Sequence, residues 1–405
     1  MSKGTFFTGQ PIFSQVLGFI PRNFVSAAAR ELGTDYYCKR FRTFDHLVAM
    51  MYATLHQCTS LREVTTGMLA WEDRITHLGI SAHPRRSTLA DANKRRDPAV
   101  FEKIYFKLLE RYAPLLPDSR RRSKKDNLYI FDSTSIALFQ EILKGSGLSA
   151  ADGKRKGGIK VHTLLRADQD VPCMIRFSEG AANDGRFLKE VRLPKGSVLV
   201  FDKGYRDYTT YNRFTSDKVT WVTRHRDHSV YKVVENNLVS DYQQSRGVRT
   251  DQQIVLGHEH NKKSTKVPCR MVTYKDRSTK KVFQFITNNN AVAASTIAGY
   301  YEQRWQIETF FKRIKQNYPL QYFLGDNENA IKIQIWVALI TDLILKVIKK
   351  GARSRMSFSN IVSLIRLHMM TYMDLSTFLS SPEKALIRRI RDKRKRYGTP
   401  ALFAT

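Results

Sequence analysis

The chain has 405 residues, of which 68 are Lys or Arg and 37 are Asp or Glu, so its formal net charge at pH 7 is +31. Hydrophobic residues make up 42% of the chain, which is enough to bury real cores and excludes a disordered polybasic tail. A globular chain with so large a positive charge repels itself unless a polyanion neutralises it. We therefore expect nucleic acid as the leading partner and an anionic membrane surface as the second candidate.

A membrane-spanning segment is not expected. The most apolar stretch, from Ile335 to Ile348, is interrupted by two charged residues and is shorter than the roughly 20 residues that a span needs, so it predicts a buried helix. The first residues lack the pattern of a signal peptide. The four cysteines are scattered without a C-x-x-C pair, which favours a reducing compartment and argues against disulfide frameworks and zinc ribbons. These features predict a cytoplasmic protein with no membrane partner.

Residues 1–120 are predicted to form an all-helical domain. Apolar residues between Phe44 and Leu55 recur at intervals of three and four, which is the period of a buried helix face. Further on, Thr88 is followed three residues later by Asp91, a pair typical of a helix N-terminus. The helix that it would start ends near Pro98, because the residue before a proline disfavours helix.

This predicted helix is strongly basic. Together with the two arginines that precede it, it supplies a set of candidate DNA contacts, for which a solvated surface is the equally weighted alternative. The set comprises Arg85, Arg86, Lys94, Arg95 and Arg96.

A polar, basic segment at 119–125 marks a predicted domain boundary, after which the pattern changes to short strands. Two strands from Ile159 to Phe177 flank a turn and predict a hairpin, and an apolar run at Ser197–Phe201 predicts a buried strand. A β-rich stretch covers about 226–290. From about 291 the pattern is helical again. We predict a catalytic region at 125–345 and a helical, basic C-terminal region at 346–405, which could contact DNA.

Two carboxylates follow apolar strands directly. Asp132 comes after Leu128–Phe131, and Asp202 comes after Ser197–Phe201. Strand ends that meet at the rim of a sheet are places where ligand and metal sites form. Aspartate is also a common strand terminator, so either residue alone is weak evidence for catalysis.

The segment from Tyr300 to Lys315 is predicted to be a single helix. At about 100° per residue, its polar residues fall on one narrow stripe opposite the apolar ones. A solvated face with a Glu308–Lys312 pair, worth a few tenths of a kcal/mol, is the plain interpretation. A lone carboxylate among cations and a tyrosine instead suits a metal ligand beside a nucleic-acid backbone. The stripe comprises Tyr301, Arg304, Glu308, Lys312 and Lys315.

The spacing of Tyr301, Arg304, Glu308 and Lys315 resembles the Y-R-E-K signature of insertion-sequence transposases of the IS-four family. Asp132 in the sequence FDST and Asp202 in FDKGY are similar to the first two acids of the family's Asp-Asp-Glu (DDE) triad, and Glu308 to the third. The first 120 residues resemble the helical N-terminal domain of one branch of the family.

The resemblance implies an α/β fold with an RNase H-like core. This core is a mixed sheet flanked by helices, with Asp132 on its first strand and Asp202 on its fourth, a β-rich insertion and an all-helical N-terminal domain. It also implies two Mg²⁺ ions, for which Mn²⁺ could substitute, held by Asp132, Asp202 and Glu308. Two such ions can activate the attacking oxygen and stabilise the leaving oxygen in phosphodiester chemistry.

The implied function is cut-and-paste DNA transposition, with cleavage at the transposon ends and strand transfer into target DNA. The implied partners are double-stranded DNA, in the form of terminal inverted repeats and target, and a second copy of the chain in a homodimer on DNA. The implied location is the bacterial cytoplasm, in association with the nucleoid. A catalytically inactive DNA-binding descendant and another RNase H-like nuclease remain alternatives. The intact triad weighs against the first, and the Tyr301–Lys315 signature weighs against the second.

Overall fold

The computed structural model describes residues 9–116, 127–137, 148–149, 155–156, 158–179, 185–257 and 265–397. The chain divides into two compact units, one formed by residues 1–117 and 313–405 and the other by residues 118–312. The predicted boundary segment at 119–125 lies outside the described residues.

The first unit is built from helices. Two short 3₁₀ helices, Glu72–Leu78 and Ala113–Leu115, accompany them. The α-helices of this unit are α1 (Ile12–Leu17), α2 (Arg22–Glu31), α3 (Thr43–His56), α4 (Leu61–Leu69), α5 (Arg86–Arg95), α6 (Ala99–Tyr112), α12 (Glu328–Gly351), α13 (Phe358–Leu367), α14 (Leu375–Ser380) and α15 (Pro382–Tyr397).

The second unit is built around a sheet. It contains the helices α7 (Gly185–Leu188), α8 (Tyr208–Ser216), α9 (Asp241–Ser245), α10 (Ala294–Glu302) and most of α11 (Trp305–Asn317). Its strands are β1 (Leu128–Ala137), β2 (Leu148–Ser149), β3 (Arg155–Lys156), β4 (Gly158–Arg166), β5 (Val171–Glu179), β6 (Val198–Phe201), β7 (Thr220–Arg224), β8 (Tyr231–Asn236), β9 (Val248–Leu256), β10 (Val267–Lys275) and β11 (Val282–Thr287).

Nine of these strands form one mixed sheet in the order β5-β4-β1-β6-β7-β11-β10-β9-β8. The hairpin predicted between Ile159 and Phe177 is confirmed as the antiparallel pair β4–β5. Strand β1 pairs antiparallel with β4 and parallel with β6, and β6 pairs parallel with β7. The buried strand predicted before Asp202 is therefore present as β6, beside β1 near the middle of the sheet.

The β-rich stretch predicted at about 226–290 contains strands β8 to β11. Strand β11 pairs antiparallel with β7, so these four strands continue the central sheet. The polar composition of this stretch reflects its position at the edge of the sheet, because all six residues of the outermost strand, β8, are exposed.

The two faces of the sheet carry different layers. Phe131 on β1 and Phe201 on β6 belong to a buried cluster that also contains Phe214 of helix α8. Residues that alternate with them, such as Ile130 and Val200, point to the opposite face, because successive side chains of a strand point to opposite sides. Helix α10 packs along strands of the same sheet.

In the helical unit, α12 is the central element. This helix carries the apolar stretch from Ile335 to Ile348 and packs on α3, α5 and α6. Residues 313–345, predicted to belong to the catalytic region, therefore group with the N-terminal helices. Their apolar residues are buried against helices that come much earlier in the chain. Contacts between segments so far apart leave no local sequence pattern, so the boundary prediction missed them. No helix of the described residues is long and apolar enough to cross a membrane.

Helix α5 begins earlier than its sequence predicts. Its first residue is Arg86 and its N-cap is Arg85, which makes no side-chain capping bond, so Thr88 lies inside the helix. Pro84 is buried immediately before this start. The predicted end is confirmed, because the helix ends at Arg95, just before Asp97 and Pro98.

A buried ion pair connects the insertion to the chain that leads into α10. The Arg270 guanidinium on β10 bonds Asp251 on β9 at 2.6 and 2.8 Å and also donates to the carbonyl oxygens of Asn289 and Val292. Burial opposes ionisation of Asp251, but the hydrogen bonds from Arg270 and Asn237 hold its pKa below the usual value. A lowered native pKa means that this stabilisation is present above the unfolded pKa of about 4 and is lost as the pH falls through the native value.

We expect Arg270→Met to destabilise the sheet unit by about 3–5 kcal/mol, because it leaves the Asp251 carboxylate buried without its partner. Urea denaturation at pH 7 measures this loss. Arg249→Ala on the neighbouring strand removes an exposed arginine and should change the free energy of unfolding by no more than about 0.5 kcal/mol. Equal losses for the two variants would contradict a special role for the buried pair.

Candidate active site

Asp132 lies within β1. The strand was expected to end at this residue, but it continues to Ala137 because its second half pairs with β4 down to Gly158. Since Phe131 points into the cluster beneath α8, Asp132 points to the opposite face. The backbone N–H of Ser133 donates to the Asp132 carboxylate at 2.8 Å.

Asp202 directly follows β6. Phe131 and Phe201 are register partners in the parallel pair β1–β6, so the two aspartates that follow them lie side by side, one within β1 and the other just past the end of β6. The backbone N–H of Gly204 donates to Asp202 at 3.1 Å and fixes the carboxylate at the start of the turn.

The predicted single helix from Tyr300 to Lys315 is interrupted. Helix α10 ends at Glu302 and α11 begins at Trp305, with a turn at Gln303 and Arg304 between them. The single-helix prediction was therefore wrong. The break places Tyr301 on the first helix, Arg304 in the turn and Glu308 in the first turn of the second helix.

Arg304 brings two of the three acids together. Its Nη1 donates to Asp132 Oδ2 at 2.9 Å, and its Nη2 donates to Glu308 Oε1 at 2.5 Å. The three side chains are only partly exposed: 18% for Arg304, 17% for Asp132 and 36% for Glu308. Charged hydrogen bonds of this kind are strong where solvent is limited. The guanidinium thus links the first strand of the sheet to helix α11.

Tyr301 provides the corresponding link to the third acid. Its hydroxyl lies 3.5 Å from Asp202 Oδ1, and its ring packs against Phe285 with centroids 4.9 Å apart. Burial raises the pKa of Tyr301 to about 12, so the hydroxyl keeps its proton and acts as the donor to Asp202. Through Arg304 and Tyr301, Asp132, Asp202 and Glu308 therefore lie near one another on the α10 face of the sheet.

The electrostatics of this cluster are governed by burial and by like charges. Burial raises the pKa of Asp132 to about 6; the Ser133 N–H and Arg304 lower it, while Asp202 and Glu308 raise it further. For Arg304, burial disfavours the charged form, but Tyr301 and the Asp132 and Glu308 carboxylates outweigh it and raise the pKa. The carboxylates therefore need a cation, and Arg304 supplies one.

The carboxylates of Asp132, Asp202 and Glu308 are side chains of a type that binds divalent metal ions. Carboxylate oxygens are the ligands that hard divalent cations such as Mg²⁺ prefer. Within the described residues, however, no group of three acidic, histidine or cysteine side chains is already placed to hold one ion. In this arrangement the guanidinium of Arg304 takes up one oxygen each of Asp132 and Glu308. Arg304 therefore competes with a bound metal ion for these two oxygens.

A narrow basic cleft is lined by residues that follow Asp202 in the sequence and by residues at and after the end of β7. The candidate DNA contacts predicted from the sequence do not include Lys203 and Arg206, although both follow Asp202 closely and could have been found from that position. Arg224 also stacks over the Phe283 ring at 4.9 Å. The cations that line this cleft are Lys203, Arg206, Arg224 and Arg226.

The remaining predicted DNA contacts differ in their surroundings. Lys312 and Lys315 are exposed on α11. Arg85, Arg86, Lys94 and Arg95 are exposed at or within helix α5. Arg96 was predicted to contact DNA, but the structure places it differently: it is 6% exposed, and its guanidinium donates to the Phe41 carbonyl at 3.1 Å.

Comparison with known proteins identifies the family of the chain. A family model described as the transposase DDE domain matches residues 123–341, more than half of the chain. The chain belongs to this family. A second model, described as a domain of unknown function, matches residues 8–81.

Relatives point the same way. The chain is 29% identical to a protein of Sinorhizobium fredii named as the transposase y4zB, over 70% of this chain and 76% of that protein. It is 27% identical to a protein of Synechocystis named as a transposase for the insertion sequence element IS4SA, over 67% of this chain and 74% of that protein. A piggyBac transposase synaptic complex with hairpin DNA aligns at a TM-score of 0.43 and 12% identity, covering 100% of this chain and 88% of that chain, a likeness too distant to carry an argument.

The family membership confirms the prediction of an insertion-sequence DDE transposase. The protein functions in DNA transposition, and its chemistry is hydrolysis and transesterification of DNA phosphodiesters. The core predicted for it, a mixed sheet flanked by helices with Asp132 on its first strand, is present. Assignment to the IS-four family in particular remains a prediction.

We expect Mn²⁺ to stabilise the protein through these carboxylates. A ligand at a hundred times its Kd raises the free energy of unfolding by about 2.7 kcal/mol. Thermal unfolding detects this as a higher midpoint temperature. Asp132→Asn or Glu308→Gln should remove most of this rise. Arg304→Gln should bind Mn²⁺ more tightly in calorimetry, because the ion no longer has to displace a guanidinium.

Glu302→Gln provides the matched control, since Glu302 is an exposed acid at the end of α10 and should leave the Mn²⁺ effect intact. An undiminished rise in the Asp132→Asn and Glu308→Gln proteins would show that the metal binds elsewhere.

Proposed function

We propose that Asp132, Asp202 and Glu308 are the catalytic carboxylates of this transposase, and that they act in cleavage at the element's ends and in strand transfer. One observation carries the proposal. Asp132 lies on a strand, Asp202 follows the neighbouring strand, and Glu308 lies on a helix about a hundred residues later. The contacts of Arg304 and Tyr301 bring them together. Buried like charges cost stability unless a ligand requires them, so such a cluster is typical of a functional site.

The cofactor that this set suits is Mg²⁺, as two ions, with Mn²⁺ as a substitute. Asp132, Asp202 and Glu308 would hold the ions. When bound, divalent metal supplies Lewis acidity that favours the attacking oxygen and neutralises charge on the leaving oxygen. The described carboxylates contribute only oxygen ligands, which is the preference of this class of cation.

Arg304 has a second role in this proposal. Its guanidinium is planar and binds phosphate as well as it binds carboxylate. A DNA phosphate that approaches the site offers Arg304 an alternative partner, which frees the oxygens of Asp132 and Glu308. Tyr301 keeps its proton and holds Asp202 in place during this exchange.

The reaction then proceeds in two displacements at phosphorus. In the first, water adds to the phosphodiester at the element's end, the bond to the 3′ oxygen breaks, and that oxygen takes up a proton to become a free 3′-hydroxyl. In the second, this hydroxyl attacks a target phosphodiester, loses its proton and displaces another 3′ oxygen. Each step exchanges one P–O bond for another and needs no covalent intermediate with the protein.

DNA binding is distributed over both compact units in this proposal. In the sheet unit, the exposed Lys312 and Arg206 and the partly exposed Lys203 and Arg224 suit backbone phosphates. In the helical unit, the exposed Arg85, Arg86, Lys94 and Arg95 suit the terminal repeats. A domain at 1–120 for recognition, a DDE domain at 125–345 and a basic C-terminal region at 346–405 remain our proposed functional division. We further propose that the protein acts as a homodimer on DNA, in the bacterial cytoplasm at the nucleoid.

The proposal predicts that Asp132→Ala, Asp202→Ala and Glu308→Ala each lower strand cleavage by at least about a thousandfold, because residues that act as one unit fail together. A plasmid that carries the element's flanking ends serves as the substrate, with nicking followed on gels. Binding to the ends should persist in each variant.

Glu302→Gln removes an exposed carboxylate close to Glu308 in sequence and should cleave at the rate of the unsubstituted protein. Full cleavage by any of the three alanine variants in Mg²⁺ would overturn the assignment of the catalytic residues.

A further inference from the structure

Two adjacent tyrosines project from the loop between α2 and α3. Tyr36 is 77% exposed and Tyr37 is 95% exposed, and their rings meet edge to face with centroids 5.5 Å apart. Tyr37 also has a φ of +59°, a left-handed conformation that bulky residues rarely adopt. Single exposed apolar residues are ordinary, but a pair of rings held outward by an unusual backbone needs a reason. We call residues 32–42 the tyrosine loop.

Hydrogen bonds on the side away from the two rings hold the tyrosine loop in place. Asp35 Oδ1 accepts hydrogen bonds from the backbone N–H and the hydroxyl of Thr43, both at 2.7 Å, at the start of α3. Arg96 reaches the same loop from below, where its Nη2 donates to the Phe41 carbonyl and lies 3.5 Å from Asp35 Oδ1. The rings are therefore presented by a partly buried polar network and not by their own packing.

The tyrosine loop is also positively charged on its exposed side. Lys39 and Arg40 follow the two rings after Cys38 and are exposed, and Arg42 is exposed just before α3. Neighbouring cations and aromatic faces are the combination that proteins use to bind nucleic acid whose bases are accessible. The net charge of +31 makes a polyanion the fitting partner for such a surface.

We propose that the tyrosine loop is a DNA contact in which Lys39 and Arg40 bind backbone phosphates, while the ring of Tyr37, the more exposed of the two, stacks on a base displaced from the helix and Tyr36 packs against that ring. A displaced base is required because bases inside an intact duplex have both faces covered by their neighbours. The loop lies in the segment matched by the domain of unknown function at 8–81. The inference rests on the proposed function only in that the chain binds the ends of its element.

The test is DNA binding by the full chain, measured by fluorescence anisotropy on two duplexes that carry the element's end. One duplex is fully paired, and the other contains an unpaired bubble. Tyr36→Ala/Tyr37→Ala should weaken binding to the bubble duplex by roughly 5- to 150-fold, the range for loss of base stacking, and should affect the paired duplex less. The salt dependence of this variant should be unchanged.

Lys39→Ala/Arg40→Ala should behave differently. This variant should weaken binding to both duplexes alike, and the slope of log affinity against log salt should become shallower by about 2, as two phosphate contacts are lost. Tyr242→Ala is the matched control, because Tyr242 is 66% exposed in the other unit and its loss should change neither duplex.

The outcomes separate this inference from the proposed function. Binding of both duplexes by Tyr36→Ala/Tyr37→Ala at the affinity of the unsubstituted chain would overturn the stacking role while leaving transposition intact. Equal weakening by Tyr242→Ala would also overturn it, since the effect would then belong to any exposed ring. If the unsubstituted chain bound neither duplex, the proposed function would fail and this inference with it.

Discussion

The contact on which the site depends is the pair of hydrogen bonds from Arg304 to Asp132 and Glu308. It joins a strand near the middle of the sheet to a helix that follows it by well over a hundred residues. Asp132 and Glu308 are therefore far apart in sequence, and one cation holds them together in space. Without a cation, buried carboxylates would repel each other and take up protons, as the raised pKa of Asp132 indicates. Tyr301 completes the arrangement by holding Asp202, the third acid.

This constraint explains why the chain breaks its helix at the site. A continuous helix through Tyr301, Arg304 and Glu308 would put all three on one face, aimed in one direction. The turn at Gln303 and Arg304 lets Tyr301 point to Asp202 while Arg304 lies between Asp132 and Glu308. The buried Arg270, which bonds the chain just before α10, holds the first of the two helices in place. The long insertion therefore separates Asp202 from Glu308 in the sequence, and its Arg270 also stabilises the start of α10.

The sequence predicted much of this arrangement, and its failures have identifiable causes. The hairpin at β4–β5 and the strand before Asp202 were predicted correctly because their patterns are local. The helix break was missed because no proline or glycine lies between Tyr301 and Glu308 and the helical pattern runs through it. The burial of Arg96 was missed because arginine is usually exposed, and only the fold reveals its partners near Phe41. The joining of β11 to β7 depends on pairing between distant segments, which periodicity does not encode.

The central claim is that Asp132, Asp202 and Glu308 together hold the divalent metal ions and that Arg304 withdraws from them when DNA binds. Anomalous diffraction from crystals of the protein with Mn²⁺ and a short duplex of the element's end tests it most directly. The account predicts anomalous peaks about 2.1 Å from carboxylate oxygens of all three residues, with the Arg304 guanidinium moved onto a DNA phosphate. Anomalous peaks away from these carboxylates, or Arg304 still bonded to Asp132 and Glu308 beside bound metal and DNA, would contradict it.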